Sequence, residues 1–289
     1  MKEIELLKQI IKEELSVNNE VITIVQKICN KIIKTIPTIE GVNLKNKNRV
    51  VKRKFNIKET ILNNSIMIQV TNYNFVTPDE IYRNPKLDYE TSTSSSDGGK
   101  YNFIFITCYS VNGKVDMKSL YDTVYHEVEH IFQAQKGNKQ IKTFDALYQI
   151  LPEYLNCKNY SLKHASRVLY YSYTYEQDAF VNGLYGFISQ LGIIPQWKDI
   201  KTSQAYKSIE KLRNAIVFLQ KNINNENYNE EIKKTFNYTI PQLIKIGKQT
   251  EKRFLEKLGK VLIKHRNEML FENIIIRTNN STTKYFEED

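Results

Sequence analysis

Residues 117–135 read Met117-Lys118-Ser119-Leu120-Tyr121-Asp122-Thr123-Val124-Tyr125-His126-Glu127-Val128-Glu129-His130-Ile131-Phe132-Gln133-Ala134-Gln135. At the helical repeat, Met117, Leu120, Tyr121, Val124, Val128, Ile131 and Phe132 gather on one side. The mean direction of that stripe lies about 140° from the midpoint of His126 and His130. One face is therefore expected to anchor in a core and the opposite face to present both imidazoles to a cleft. Gly137 marks the end of the helix. Residues 126–130 have the spacing H-E-x-x-H. Side chains four apart stand about 40° apart around a helix axis and one turn apart along it, so both rings can reach one ion. Glu127 sits about 100° round from His126. That places its carboxylate beside such an ion rather than on it, where it can take a proton from metal-bound water.

Three strand-like stretches precede this helix. They are Val50 to Ile57, Ser65 to Phe75 with Ile66, Ile68 and Val70 alternating, and Tyr101 to Tyr109, rich in aromatic and β-branched residues. Between the last two, Thr91 to Gly99 has the composition of a flexible loop. Residues 3–35 read as a helix carrying Ile4, Leu7, Ile11 and Leu15 on one side, broken by Pro37 and Gly41. Downstream, one helix is expected from about Leu162 to Leu191, ending at Gly192 with Pro195 beyond. Amphipathic segments follow over roughly 204–222 and 241–265, and residues 278–289 form a polar tail. The reading is one α+β, mainly helical domain over 1–277, with a small mixed or antiparallel sheet packed on the H-E-x-x-H helix. Within it, 1–115 supply the N-terminal helix and sheet, 116–192 the helices of the site, and 193–277 the C-terminal helices.

The third ligand is sought further along. A catalytic zinc site takes three protein ligands and keeps one position open. In a continuous helix, Ala165, Leu169, Ser172, Tyr173, Ala179, Phe180, Gly183 and Phe187 all fall within about 60° of Glu176. Glu176 would then sit in the middle of the core-facing stripe, where an unpaired carboxylate costs several kcal/mol and calls for a cation or strong donors. Asp178 points about 160° away and His164 about 120°, while Glu153 lies before the helix. Glu153 and Asp178 remain alternatives. Asp122, one turn before His126, could accept the far ring N–H of a histidine. Tyr173, on the Glu176 side, could donate to an oxyanion. His164 and His265 read as ordinary surface or core histidines.

The order of strand, short loop and H-E-x-x-H helix resembles the zincin metallopeptidases. There is no third histidine six residues after His130, and position 133 is Gln rather than Gly, so the resemblance is not to metzincins. A gluzincin takes its third ligand from a glutamate on a later helix, which the resemblance assigns to Glu176. Glu176-Gln177-Asp178-Ala179 resembles the E-x-x-A of several short gluzincin-like families. It departs from thermolysin, where an Asp follows the ligand glutamate by four; Phe180 stands there. The resemblance implies zinc held by His126, His130 and Glu176, Glu127 as general base, and a peptide or protein substrate. Strand 101–109 is expected to pair with that substrate in extended form.

Bulk properties bound the alternatives. At 289 residues the chain is long enough to bury a core without covalent staples. Its three cysteines, Cys29, Cys108 and Cys157, lack CxxC spacing, which argues against a disulfide framework and a cysteine zinc site. The first residues mix both charges without an apolar run, so a soluble, cytoplasmic protein with no membrane anchor is expected. The formal charge is +10. Lys45, Lys47, Arg49, Lys52, Arg53 and Lys54 form a basic run that could contact phosphates. Interleaved with Val50, Val51, Phe55 and Ile57, the same run fits a solvated edge strand better. The alternatives to a peptidase are a non-catalytic zinc-binding regulatory or structural protein and a basic nucleic-acid-associated protein.

Overall fold

Alternation of apolar residues along three segments builds one small mixed sheet, and helices make up most of the remaining structure, giving an α+β chain. The computed structural model describes residues 20–36, 50–61, 64–75, 93–95, 103–135, 146–189 and 195–283. The apolar series Ile4 to Leu15 lies outside them, as do Lys45, Lys47 and Arg49. The chain divides into two compact units, Met1–Gln149 and Ile150–Asp289.

The first unit holds helix α1 (residues 20–35), strands β1 (Val50–Ile61), β2 (Asn64–Phe75), β3 (Thr93–Ser95), β4 (Phe103–Val111) and β5 (Lys114–Val115), and helix α2 (Met117–Gln135). Helix α3 (Ala146–Leu155) spans the boundary. β1 runs antiparallel to β2 from Val50 opposite Phe75 to Ile61 opposite Asn64. β2 is parallel to β4, and β3 and β5 are antiparallel to β4. The strand order is β1-β2-β4-β3. Strand 101–109 is expected to offer a pairing edge; β4 lies between β2 and β3, and β3 pairs with it over Ile104–Ile106. Part of the stretch expected to be a loop, Thr93–Ser95, takes the place beside it, and among the described residues β1 and β3 are the outer strands. Asn112 and Gly113 both have positive φ (47° and 76°), as a two-residue hairpin turn with the sheet's twist requires. The side chain of Asn74 accepts the Gly113 N–H at 3.0 Å. That turn delivers the chain into α2.

One face of the sheet is buried. Ile57, Ile66, Ile68, Val70, Ile104 and Ile106 are each at most 8% exposed, as are Ile28 and Ile32 of α1 and Leu120, Val124 and Val128 of α2. Each such side chain contributes about 1.5–3 kcal/mol by leaving water. The same face carries Glu59, 5% exposed, whose two oxygens accept from Lys27 (2.7 Å) and Lys31 (2.6 Å) of α1. Burial alone would raise its pKa. The two lysines and the Thr60 N–H outweigh that and hold the carboxyl down at about 2.

The second unit is helical: α4 (Tyr160–Ser172), α5 (Thr174–Ser189), α6 (Trp197–Ile200), α7 (Gln204–Lys221), α8 (Glu226–Phe236) and α9 (Ile240–Thr283). Asn159, Ser203 and Asn225 cap α4, α7 and α8 by accepting the backbone N–H of Leu162, Tyr206 and Tyr228. Asn237 ends α8 in the left-handed conformation, φ 59°. Val181, Leu184 and Ile188 of α5, Ala205 and Ile209 of α7, and Phe254 and Leu258 of α9 form one core. α9 continues past the amphipathic stretch 241–265 to Thr283. Among the described residues, no helix is long and apolar enough to cross a membrane.

Expected as one helix from Leu162 to Leu191, the chain instead breaks at Tyr173, which is extended (φ −68°, ψ 124°). No Pro or Gly marks the place. Side chains stabilise the break by satisfying carbonyls that a continuous helix would have used. The Ser172 hydroxyl donates to Leu169 O at 2.6 Å, and the Gln177 amide donates to Tyr171 O at 2.9 Å and Ser172 O at 3.4 Å.

Two glycines of α9 should respond oppositely to alanine. A methyl at Gly247 would meet Ile216 Cγ1 at 2.7 Å, whereas one at Gly259 meets nothing within 4 Å. Gly259→Ala should stabilise by about 1 kcal/mol through helix propensity. Gly247→Ala should lose that gain to an overpacking cost of roughly 1–3 kcal/mol and unfold earlier in urea. Equal midpoints for the two variants would contradict the close helix packing at Gly247. A second outcome concerns acid. Because the folded pKa of Glu59 is depressed, its contribution is fully present above the ordinary value of 4.5 and fades as pH falls toward about 2. Urea titrations of wild type and Glu59→Gln should therefore differ most at neutral pH and converge between pH 4.5 and 2.

Candidate metal centre

α2 begins at Met117 and ends at Gln135, the bounds expected from its apolar spacing. Its burial is not one-sided. Every residue from Leu120 to Val128 is buried, including Asp122 (1% exposed), Thr123 (0%), His126 (5%) and Glu127 (1%). Ionisable side chains so far from water need compensating charge or hydrogen bonds, and here they fall on successive turns of one helix.

The two imidazoles converge. His126 Nε2 and His130 Nε2 are 3.1 Å apart, with rings nearly perpendicular at 87°. The other nitrogen of His130, Nδ1, lies 3.2 Å from Gln133 Oε1. With the Gln133 amide oxygen facing the ring, the contact is a hydrogen bond in the tautomer that carries its proton on Nδ1 and its lone pair on Nε2. Gln133 sits one turn after His130 and is 9% exposed. Sequence reading noted it only as a departure from glycine; its i+3 relation to His130 was the available signal. Glu127 Oε1 is 4.0 Å from His126 Nε2. Asp122, one turn before His126, is 1% exposed. Glu129 is more exposed than Glu127.

Those spacings fit a metal's geometry. Zinc–nitrogen bonds of about 2.0–2.1 Å in a tetrahedral site put two ligand nitrogens roughly 3.3–3.4 Å apart. The observed pair needs to open by only a few tenths of an ångström. Cys108 is a poor thiolate donor, because burial pushes its thiol up to about 12.

Glu176 belongs to the second unit. It lies in the first turn of α5 and is 2% exposed. A helix N-terminus favours a carboxylate there. Its Oε2 accepts the hydroxyl of Tyr170 at 2.8 Å. In an unbroken helix Tyr173 would stand on the Glu176 side; the break at Tyr173 changes the angular relation between them. Tyr173 is the extended residue between the helices, its ring packed on Tyr175 at 5.8 Å, and the hydroxyl of Tyr170 on the preceding helix donates to Glu176.

The rival ligands are otherwise engaged or exposed. Asp178 pairs with Lys257 at 2.5 Å, and Glu153 is exposed on α3. His164 stacks on Phe218 (4.2 Å, 23°), and burial, with Arg167 and Lys163 nearby, lowers its pKa to about 4. His265 is buried against Tyr185. Comparison with family models, with curated proteins and with solved structures finds no match to this chain.

The break before α5 should prove structural. Gln177 is fully buried and bonded to two carbonyls. Replacing it with Leu strands both and should cost about 1–3 kcal/mol. Chemical denaturation of Gln177→Leu checks this; an unchanged midpoint would mean the amide is not what stabilises the break.

Proposed function

We propose that this chain is a zincin-like metallopeptidase that hydrolyses peptide bonds with a zinc ion held by His126, His130 and Glu176. The observation that carries the reading is the pair of Nε2 atoms 3.1 Å apart on α2, with the buried Glu127 carboxylate 4.0 Å from one of them. His126, His130 and Glu176 each offer one ligand atom, a set of two imidazoles and one carboxylate that suits zinc and leaves a fourth position for substrate. Gln133 supports the assignment by keeping the proton of His130 on the nitrogen away from the pair. Tyr170 supports it by orienting one oxygen of Glu176.

A bound zinc would supply Lewis acidity, polarising a carbonyl and acidifying water. The remaining work falls to the protein's own groups. Glu127 accepts the proton of the attacking water as its oxygen adds to the carbonyl carbon. Glu127 then returns that proton to the amine nitrogen as the C–N bond breaks. Its burial keeps bulk water from competing for the proton.

Zinc analysis of purified wild type should give one equivalent per chain, and His126→Ala and Glu176→Ala should lose it. Glu127→Gln should keep the metal yet lower the turnover of an unstructured peptide substrate by about 10²–10⁴-fold. Metal retained with no hydrolysis across a broad peptide library would leave the non-catalytic zinc-binding alternative. Failure of wild type to hold zinc after reconstitution would overturn both.

A further inference from the structure

The face of the sheet opposite the buried one has a composition that the peptidase reading does not use. Strand register assigns its rows. Lys52, Tyr73 and Tyr109 form one, Lys54, Thr71 and Thr107 the next, then Asn56, Gln69 and Phe105, then Lys58, Met67 and Phe103. The lysines therefore run in a column along β1, and the rings of Phe103, Phe105 and Tyr109 run in a parallel column along β4. Two strand spacings separate the columns, about 9–10 Å. Lys52, Lys54 and Lys58 are exposed. Phe103 is 38% and Phe105 42% exposed, with their rings nearly parallel at 16° and 6.3 Å apart. Tyr73 and Tyr109 stack at 5.7 Å, and Lys52 Nζ lies 5.3 Å from the Tyr73 ring centre. Among the described residues, this face of β1, β2 and β4 bears no carboxylate.

Edge lysines by themselves only discourage strand pairing. They do not account for two stacked phenylalanines about two-fifths exposed on the strand beyond them. A parallel pair of tracks, one cationic and one aromatic, is what an unpaired polynucleotide needs: phosphates along the charges and base faces on the rings. We infer that this sheet face binds single-stranded nucleic acid, with Phe103 and Phe105 stacking on bases and Lys52, Lys54 and Lys58 contacting phosphates. An acidic polypeptide would use the lysines and leave the rings without a role. A duplex offers no base faces to them.

Fluorescence anisotropy of the full-length chain with labelled 15-nucleotide single strands tests this, with oligo-U and oligo-dT as separate arms. Binding of either single strand should exceed binding of a blunt duplex of the same length by about tenfold or more and should weaken with salt. The Lys52→Gln/Lys54→Gln/Lys58→Gln variant should flatten the log–log salt slope by about 2, three contacts at about 0.7 each. Phe105→Ala should weaken binding about tenfold without changing that slope, and Phe105→Tyr, which keeps a stacking ring, should restore it. Circular dichroism confirms that each variant is folded. Four results each overturn the proposal: no binding at 50 mM salt, a duplex bound as tightly as the single strands, polyglutamate competing as well as unlabelled oligo-U, or Phe105→Ala binding like wild type.

Discussion

The constraint on which the site depends is the removal of charge from water along α2. Asp122, His126 and Glu127 lie within six residues and none is more than 5% exposed. A buried ionised group left uncompensated costs several kcal/mol, a large part of what an ordinary domain has in reserve. The architecture around α2 is what makes that tolerable. The Asn112-Gly113 turn aims the chain out of β4, and the apolar residues Leu120, Val124 and Val128 fix the helix. The helix then has a single rotation, and its polar side is committed to one environment. Glu176 meets the same constraint in the second unit with a helix N-terminus and the hydroxyl of Tyr170. Buried ionisable groups of this kind concentrate at functional sites, which is the physical case for looking to the polar side of α2.

Much of this was legible because it is local. The ends of α2, the core stripe of Leu120, Val124 and Val128, and the strands at β1, β2 and β4 all follow from repeats of 3.6 and 2 residues. The two histidines meet because residues four apart in a helix must. What escaped reading is non-local or rests on side chains acting against propensity. Nothing in Leu169-Tyr170-Tyr171-Ser172-Tyr173-Thr174 signals a helix end. The break is held by Gln177 reaching back to two carbonyls. The interior position of β4 depends on three residues, Thr93–Ser95, from a stretch whose Ser/Thr/Gly composition reads as loop. Pairing partners across a sheet are not encoded in the composition of either strand alone.

The two faces of the sheet show how one alternating pattern serves two ends. Every second residue of β1 from Phe55 to Glu59 turns inward, and Glu59 among them is tied to α1 by Lys27 and Lys31. The intervening Lys54, Asn56 and Lys58 turn outward. A one-residue slip in register would bury lysines and expose isoleucines, so the pairing of β1 with β2 is strongly specified. The same specification places the outward column of charge at a set distance from the aromatic column of β4. Whatever that face does, its geometry follows from the need to bury the other.

The histidine pair carries its own restriction on what can occupy the space between the rings. With the Nδ1 proton of His130 directed to Gln133, His130 Nε2 has a lone pair and no hydrogen. At 3.1 Å from His126 Nε2, that lone pair can meet a proton carried by His126 or a cation shared by both rings. The proton satisfies the pair with one hydrogen bond. A divalent cation satisfies both lone pairs at once and brings positive charge beside the buried Glu127 carboxylate. The two occupants exclude each other, so a cation there would require His126 to carry its proton on Nδ1. In the same competition Gln133 favours the cation, since by holding the Nδ1 proton it prevents His130 from taking the tautomer that would put a hydrogen between the rings from its own side.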